Sequence, residues 1–537
     1  MSGIGKGITA ASIAKLLQIR GFKISIMKVD PYLNVDAGTM NPIAHGEVFV
    51  TEDGGEIDMD LGTYERFLDL NLSRDQNTTT GQIYLAVINK ERQGDFLGQC
   101  VQIIPHITDQ IKTVIENVAK KTSSDILLVE IGGTVGDIES LPYLEAARQM
   151  RLEKGQKNVL FAHVTLVPAL DVVGEQKTKP TQHSVQELRR IGIQPDLVVA
   201  RTTGPLTLGP KKKIALFCNI EERGVFASQD LLTIYQAPLE LNSQGMGDFL
   251  TDCLNLPNRK PDWAGWEDMV HRFVKPNQTV CIAVCGKYAE LADSYVSVIE
   301  ALRHAGGACD CKVDIEIIET EQFETNPGEC STLSKFDGIL VPGGFGSRGT
   351  EGKIATLAYA REHDLPTLGI CFGFQLAVVE FARHRGFEKA NSTEIDPNTP
   401  NPVIDLMPEQ RHTDLKGATM RLGAHQIRLS SGTKAVQLYG REVISERHRH
   451  RYEVNPLYVE KITQCGGIFS GRSIDGSRME VFELPNKFYY IATQFHAEFK
   501  SRPNRPSPPY FGLIRSALNR KMGKPALELT PLISSKS

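Results

Sequence analysis

Short β-branched apolar runs alternate with longer stretches of helical spacing through most of the chain. The runs 23–30 (KISIMKVD), 125–133 (DILLVEIGG), 158–168 (NVLFAHVTLVP) and 195–201 (PDLVVAR) predict strands. Helical stretches at 134–155 and 181–193 lie between several of them. That rhythm predicts a mostly parallel sheet with helices on both faces. It breaks at 255–278, which holds three Pro and both Trp and predicts an ordered linker. A second α/β run follows. It comprises a strand at 279–288, an amphipathic helix at 295–306 with a Gly stop, an alternating strand at 312–320, and a strand entering a glycine loop over 336–346. The expected organisation is therefore α/β with two domains, each a mostly parallel sheet flanked by helices. They span 1–254 and 279–518, joined by the linker 255–278 and followed by a weakly ordered tail at 519–537.

Length agrees with two domains, since 537 residues exceed what one hydrophobic core serves. Hydrophobic residues make up 41% and charged residues 23%, ordinary for a globular protein. The net charge of −4 gives no bulk electrostatic case for nucleic acid. No apolar stretch approaches the ~18 residues that span a bilayer. The N-terminus has no basic region followed by an apolar one, so a cytoplasmic protein without membrane contact is expected. Ten scattered Cys point to reduced thiols. Cys309, Cys311, Cys281 and Cys285 have no second pair at zinc spacing beside them and are expected to be plain thiols.

The C-terminal half carries a nucleophile pattern. In LPTLGICFGFQLAVVEFARH (365–384) an apolar strand runs into Gly369-Ile370-Cys371-Phe372-Gly373 and then a helix. This is the G-x-nucleophile-x-G elbow with Cys in place of Ser. Glycine on both sides permits the tight turn, and the helix N-terminus beyond it favours an anion there. The N–H after the nucleophile can serve an oxyanion hole. A thiolate needs a base, and YYIATQFHAEF (489–499) ends in His496 and Glu498. Two residues apart in extended chain, these point to one face, so the carboxylate can fix the imidazole.

The N-terminal half carries nucleotide chemistry. It opens MSGIGKG ahead of a helical run, the second half of a phosphate loop, with no strand before it. The segment 27–67 is dense in acids, including Asp58 and Asp60. Glu130, Asp137 and Glu139 follow in VEIGGTVGDIES. Carboxylates at strand ends near a phosphate loop suit Mg²⁺, and Gly7 after Lys6 removes the usual hydroxyl ligand. In GEQKTKPTQHSVQELRRIG (174–192), Lys177 and Lys179 flank Thr178 ahead of Pro180. The helix behind it offers Thr181, Gln182 and Ser184 in its first turn. Cations at a helix N-terminus make an anion site fit for a triphosphate.

The thiol patterns resemble class I glutamine amidotransferases, through Pro342-Gly343-Gly344-Phe345-Gly346, the elbow at 369–373 and His496-Ala497-Glu498. The departure is Ala497, where that family has Pro. The resemblance implies that Cys371 attacks the glutamine amide to give a thioester and ammonia. It assigns glutamine or oxyanion contacts to Gly344, Phe372, Gly373, Phe374, Gln375, Glu394 and Arg451.

Over nearly its whole length the chain resembles the CTP synthase family, through S-G-I-G-K-G, K-x-D-P-Y-x-N-x-D-x-G-T-M, H-G-E-V-F-V, D-x-D-L-G, V-E-I-G-G-T-V-G-D-I-E-S, K-T-K-P-T-Q-H-S and E-R-H-R-H-R-Y-E-V-N. That resemblance implies ATP-dependent phosphorylation of UTP at O4, then attack at C4 by ammonia passed through an internal tunnel. It implies that Gly3, Ile4, Gly5, Lys6, Gly7 and Ile8 cradle ATP phosphates, with Gln229, Asp230 and Leu231 around the adenine. Lys6 and Lys28 would neutralise the transferring phosphoryl group, and Asp60 and Glu130 would hold Mg²⁺. Ser2, Lys177, Thr178, Lys179, Pro180, Thr181, Gln182 and Lys213 would meet UTP. Asp137, Ile138 and Glu139 would recognise CTP as feedback inhibitor. GTP as allosteric activator and a homotetramer able to form filaments are further implications. The resemblance also implies a first strand ahead of the phosphate loop. Without it the synthase half would be impaired, so a scaffold joining filaments of an active paralogue stays open, as does an amidotransferase with another acceptor.

Overall fold

The computed structural model describes residues 3–40, 46–170, 175–287, 292–410 and 420–525. The chain divides into two compact units. One is Met1–Ala37 with Asp60–Val270, and the other is Gly38–Met59 with His271–Ser537. Both are α/β, with parallel strands flanked by helices.

In the first unit, strand Ile24–Asp30 is buried at every position and lies between Asn77–Thr79 and Ile126–Ile131, parallel to both. Burial on both faces accounts for its four apolar side chains, Ile24, Ile26, Met27 and Val29, while Ser25, Lys28 and Asp30 are buried with them. The register sets Lys28 opposite Asn77 on one side and Glu130 on the other. A second parallel sheet has the order Val225–Ser228, Leu197–Arg201, Ala162–Leu166. The strand expected over 158–168 is confined to Ala162–Leu166, because Asn158 N–H closes a turn on the Gly155 carbonyl at 3.0 Å. The expected linker 255–278 contains a helix, Ala264–Val274. Its Trp266 indole N–H donates to the Tyr235 carbonyl at 2.8 Å, and the ring packs on Phe67 and Tyr235. An aromatic of that size buried with its N–H satisfied anchors the segment on the first unit.

The second unit is built on a nine-stranded sheet. Cys311–Glu319, Gln278–Gly286, Gly338–Val341, Thr367–Ile370 and Tyr490–Thr493 are parallel in that spatial order. Met479–Glu483, Ile468–Ser473, Arg421–Leu429 and Val443–His450 continue it antiparallel. Alternation along Gly338–Val341 puts Ile339 and Val341 into the core under helix Phe372–His384. It puts Leu340 into the opposite core, under Val296–Ala308 and Pro508–Lys521. This unit also contains a hairpin from early in the chain, Val48–Val50 paired with Glu56–Asp58. The C-terminal tail expected at 519–537 is described only in part: helix Pro508–Lys521 covers its start, and 526–537 lie outside the described residues.

Candidate active sites

Strand Thr367–Ile370 ends at Cys371, and helix Phe372–His384 starts immediately behind it. Cys371 takes φ 51° and ψ −99°, a left-handed conformation costly for a residue with a side chain. The glycine after it is required by space, since a Cβ on Gly373 would sit 2.1 Å from the Val341 carbonyl oxygen. The elbow therefore forces the thiol out at the C-terminal end of the parallel strands. There it donates to the Arg449 carbonyl at 3.6 Å and accepts from Gln494 Nε2 at 3.7 Å.

His496 and Glu498 meet this thiol by a route different from the extended chain expected. The strand stops at Thr493, and Glu498 lies in a 3-10 turn, Ala497–Lys500, that His496 caps. The turn brings His496 Nδ1 to 2.7 Å from Glu498 Oε1, while the ring hydrogen-bonds Cys371. Burial alone would lower the imidazole pKa. The Glu498 carboxylate and the Cys371 sulfur outweigh it and raise the pKa to about 10. Tyr510 Oη donates to the second Glu498 oxygen at 3.4 Å, and Phe499 stacks on the imidazole at 5.0 Å. Elsewhere burial pushes the Cys285, Cys309 and Cys311 thiols up to about 12, which leaves them inert.

The surrounding loops arrange polar groups about the elbow. Gly344 and Phe372 are neighbours: a Cβ on Gly344 would lie 4.0 Å from the Phe372 ring. Lys287 Nζ donates to the Phe345 and Gly346 carbonyls at 2.6 and 3.0 Å, and Gly346 N–H donates to Glu394 Oε1 at 2.8 Å. Burial raises the Glu394 carboxyl above the usual range. Gln375 Nε2 donates to the Tyr452 carbonyl at 2.8 Å, and Arg451 donates to Gln410 at 2.8 Å. Glu394 and Arg451 both act on the Tyr452 phenol, so the two residues expected to close the glutamine pocket share a neighbour. Phe374 is fully buried in the core behind the elbow.

The first unit holds the other site. Gly5, at φ 83°, caps helix Lys6–Ile19, so the glycines expected to cradle phosphate end on a helix N-terminus with Lys6 as its first residue. Gly7 is there for space: a Cβ would meet Asp60 Oδ1 at 2.5 Å. Lys28 Nζ bonds both Asp60 Oδ2 and Glu130 Oε1, the latter at 3.0 Å, and Tyr64 Oη donates to the other Glu130 oxygen. Burial raises the Glu130 carboxyl pKa, against the pull of Lys28. Two carboxylates and Lys28 thus converge beside the helix N-terminus, where Gly7 lies against Asp60. Arg201 joins them: its side chain lies 3.9 Å from a Cβ built on Gly5, and it pairs with Asp230.

Residues 1–256 match the family model described as CTP synthase N-terminus, and 290–515 match glutamine amidotransferase class-I. A CTP synthase of Pyrococcus furiosus is 57% identical over 526 residues, covering 98% of this chain and 97% of its own. The chain belongs to the CTP synthase family. A CTP synthase of Methanocaldococcus jannaschii is 54% identical over 528 residues, 97% of each chain. The solved glutaminase domain of Trypanosoma brucei CTPS with bound acivicin is 34% identical, with a TM-score of 0.42, and covers 45% of this chain and 94% of that one.

Of the uridine-nucleotide positions implied by the likeness to CTP synthases, Ser2 lies outside the described residues. Thr178 caps helix Lys179–Arg190 and accepts from Gln182 Nε2 at 3.0 Å, with Pro180 and buried Thr181 in the first turn. Lys177 pairs with exposed Glu175, on which Lys213 also acts. Lys179 lies over the Phe217 ring at 5.8 Å. Asp137 accepts from Thr134 N–H at 2.7 Å, which fixes the loop carrying Ile138 and Glu139, and Ile138 is 80% exposed. Gln229 and Leu231 flank Asp230 just after strand Val225–Ser228. Sequence reasoning missed Arg201, Tyr64, Gln494 and Lys353. Arg201 closes a strand that reads as plain core. Lys353 sits in a helix, Thr350–Glu362, where a lysine reads as surface, yet it is fully buried.

Proposed function

We propose how the residues of the two units divide the work of a CTP synthase. The reaction is the family's glutamine-dependent conversion of UTP to CTP, consuming ATP. The observation that carries the assignment is Cys371 at φ 51° on a strand–helix elbow, hydrogen-bonded to an imidazole that Glu498 holds protonated.

Cys371 Sγ, as the thiolate paired with protonated His496, attacks the side-chain carbonyl carbon of glutamine. The Phe372 and Gly344 N–H groups receive the oxyanion. His496 delivers its proton to the amide nitrogen, the C–N bond breaks, and ammonia leaves a glutamyl thioester. His496, now neutral, takes a proton from water as the hydroxyl attacks the thioester, which restores the thiolate and releases glutamate. Glu498 holds the tautomer throughout. Gln375, Gly373, Phe374, Glu394 and Arg451 shape the glutamine pocket.

In the first unit, Gly3–Ile8 cradle ATP phosphates, and Gln229–Leu231 face the adenine. Uridine O4 attacks the γ-phosphorus while the bond to ADP breaks, with Lys6 and Lys28 balancing the charge. Ammonia then bonds to C4 as phosphate departs. Asp60 and Glu130 suit Mg²⁺, because both are oxygen donors and already share one cation, the Lys28 ammonium. The ion supplies charge neutralisation on the triphosphate when bound. Lys177–Gln182 and Lys213 bind UTP, and Asp137–Glu139 bind CTP as feedback inhibitor. Activation by GTP, homotetramer assembly and a cytoplasmic location complete the reading and rest on family membership. Among the described residues no helix is long and apolar enough to cross a membrane.

The test is Cys371→Ala assayed with UTP, ATP and Mg²⁺. Glutamine-dependent CTP formation disappears and ammonia-dependent formation persists. Equal loss of both would overturn the division into two sites.

A further inference from the structure

The hairpin Val48–Val50/Glu56–Asp58 packs against strand Val443–His450, whose residues alternate between two faces. Glu446, His448 and His450 point one way, and Arg447 and Arg449 point at the hairpin. Arg447 is fully buried. It donates to Glu52 Oε1 at 3.1 Å and to the Val50 carbonyl at 3.0 Å, and it lies 5.4 Å from the Phe49 ring. Arg449 donates to Glu56 Oε1 at 2.8 Å and to the Gly38 carbonyl at 3.3 Å. Lys500 Nζ also reaches Glu52, at 3.1 Å.

The backbones of these same two arginines hold the catalytic pair. The Arg447 carbonyl accepts from His496 N–H at 2.8 Å, and the Arg449 carbonyl accepts from the Cys371 thiol at 3.6 Å. A third link runs through rings. Phe49 meets Phe499 edge-on at 5.0 Å, and Phe499 stacks on the His496 imidazole at 5.0 Å. Nucleophile and base are therefore each seated on a strand whose side chains are fastened to the hairpin. The carboxylate bonds are charge-assisted and mostly buried, the class that fixes geometry most firmly. Burial would raise the Glu52 carboxyl, but Arg447 and Lys500 lower it, so it is an anion at neutral pH.

We propose that Glu52 and Glu56, acting through Arg447 and Arg449, are positioning residues for glutamine hydrolysis: the seated hairpin sets the alignment of Cys371 with His496. The proposal rests on Cys371 and His496 being the glutaminase pair.

The experiment uses the full chain with Glu52→Gln/Glu56→Gln, each single change, and Glu56→Asp. Glutaminase kcat and KM, ammonia-dependent CTP formation, and the pH profile of Cys371 alkylation by iodoacetamide are read in parallel. The double variant is expected to lose about 10- to 100-fold in kcat with KM within about threefold, because small misplacements of reacting groups carry that cost. Its alkylation profile shifts, ammonia-dependent synthesis continues, and Glu56→Asp recovers part of the loss. Glutaminase kcat and alkylation unchanged in the double variant would overturn the proposal. If the double variant does not fold, Glu56→Gln alone decides on the same two readouts. Cys371→Ala run alongside separates the two readings: glutaminase persisting in that variant sinks the assignment of the pair, not the role of the hairpin.

Discussion

His496 Nδ1 lies 2.7 Å from Glu498 Oε1, two residues on in the 3-10 turn Ala497–Lys500 that His496 caps. That contact and the Cys371 sulfur raise the imidazole from an ordinary 6.5 to about 10. A group whose folded pKa is raised adds stability below its unfolded value and loses it as pH rises through the folded one. His496 therefore stabilises the second unit up to neutral pH, and that contribution fades towards pH 10. Glutaminase kcat should hold from neutral pH upward and fall as pH approaches about 10. In Glu498→Gln this alkaline limb moves to lower pH, and kcat drops roughly 10²- to 10⁴-fold, the scale for losing the group that orients a catalytic imidazole. A pH–rate profile of both proteins checks this, and an alkaline limb that does not move would separate Glu498 from the titration.

Gly373→Ala tests the elbow itself. The added Cβ would stand 2.1 Å from a carbonyl oxygen of the neighbouring strand, which is backbone and cannot rotate away. Overpacking of this kind costs about 1–3 kcal/mol. Glutaminase activity is expected to fall at least about 100-fold, because the thiol is displaced relative to its base, while ammonia-dependent CTP formation stays. Urea unfolding gives the stability change, and full glutaminase activity in the variant would show an elbow able to yield.

Much of this was legible in the sequence because the relevant chemistry is local. The elbow Gly369–Gly373 reads from one strand, two glycines and a helix, and the fold places Cys371 as that reading requires. The parallel half of the second sheet likewise announces itself by apolar runs. The antiparallel half did not: Val443–His450 ends in E-R-H-R-H, a polar string whose buried faces are satisfied by partners far away in sequence. The hairpin Val48–Asp58 joined the second unit for the same reason, since Glu52 and Glu56 find their arginines nearly four hundred positions on. Linear reading assigns such residues to the wrong neighbours or to solvent.

Lys28→Met probes the first unit. Lys28 is 5% exposed and bridges Asp60 and Glu130. Removing one partner of a buried pair leaves an uncompensated charge and costs about 3–5 kcal/mol. Both glutamine- and ammonia-dependent CTP formation are expected to stop, while glutamine hydrolysis by the second unit continues. Product assays for CTP and for glutamate separate these outcomes. CTP made from ammonia at the parent rate would remove Lys28 from phosphoryl transfer.

Lys353→Met is expected to stabilise the protein. The Lys353 ammonium is fully buried with no hydrogen-bond partner among the described residues, and its company is the Phe372 ring at 5.3 Å. Burial first, and the nearby Lys287 second, lower its pKa from 10.5 to about 7. Folded protein then binds fewer protons than unfolded protein between those two values, so this lysine's cost to stability is full below pH 7 and is relieved as pH rises towards 10.5. Methionine fills similar space without a charge to desolvate. The gain should be at least about 1 kcal/mol near pH 6, on the scale seen when buried charge gives way to apolar packing, and it should shrink towards pH 10. Thermal unfolding of both proteins across that range measures the difference. A Tm that falls at acidic pH would mean that the ammonium is held by an attraction stronger than its burial penalty, with the loop at Gly344, 3.5 Å from Nζ when given a Cβ, as the place to look.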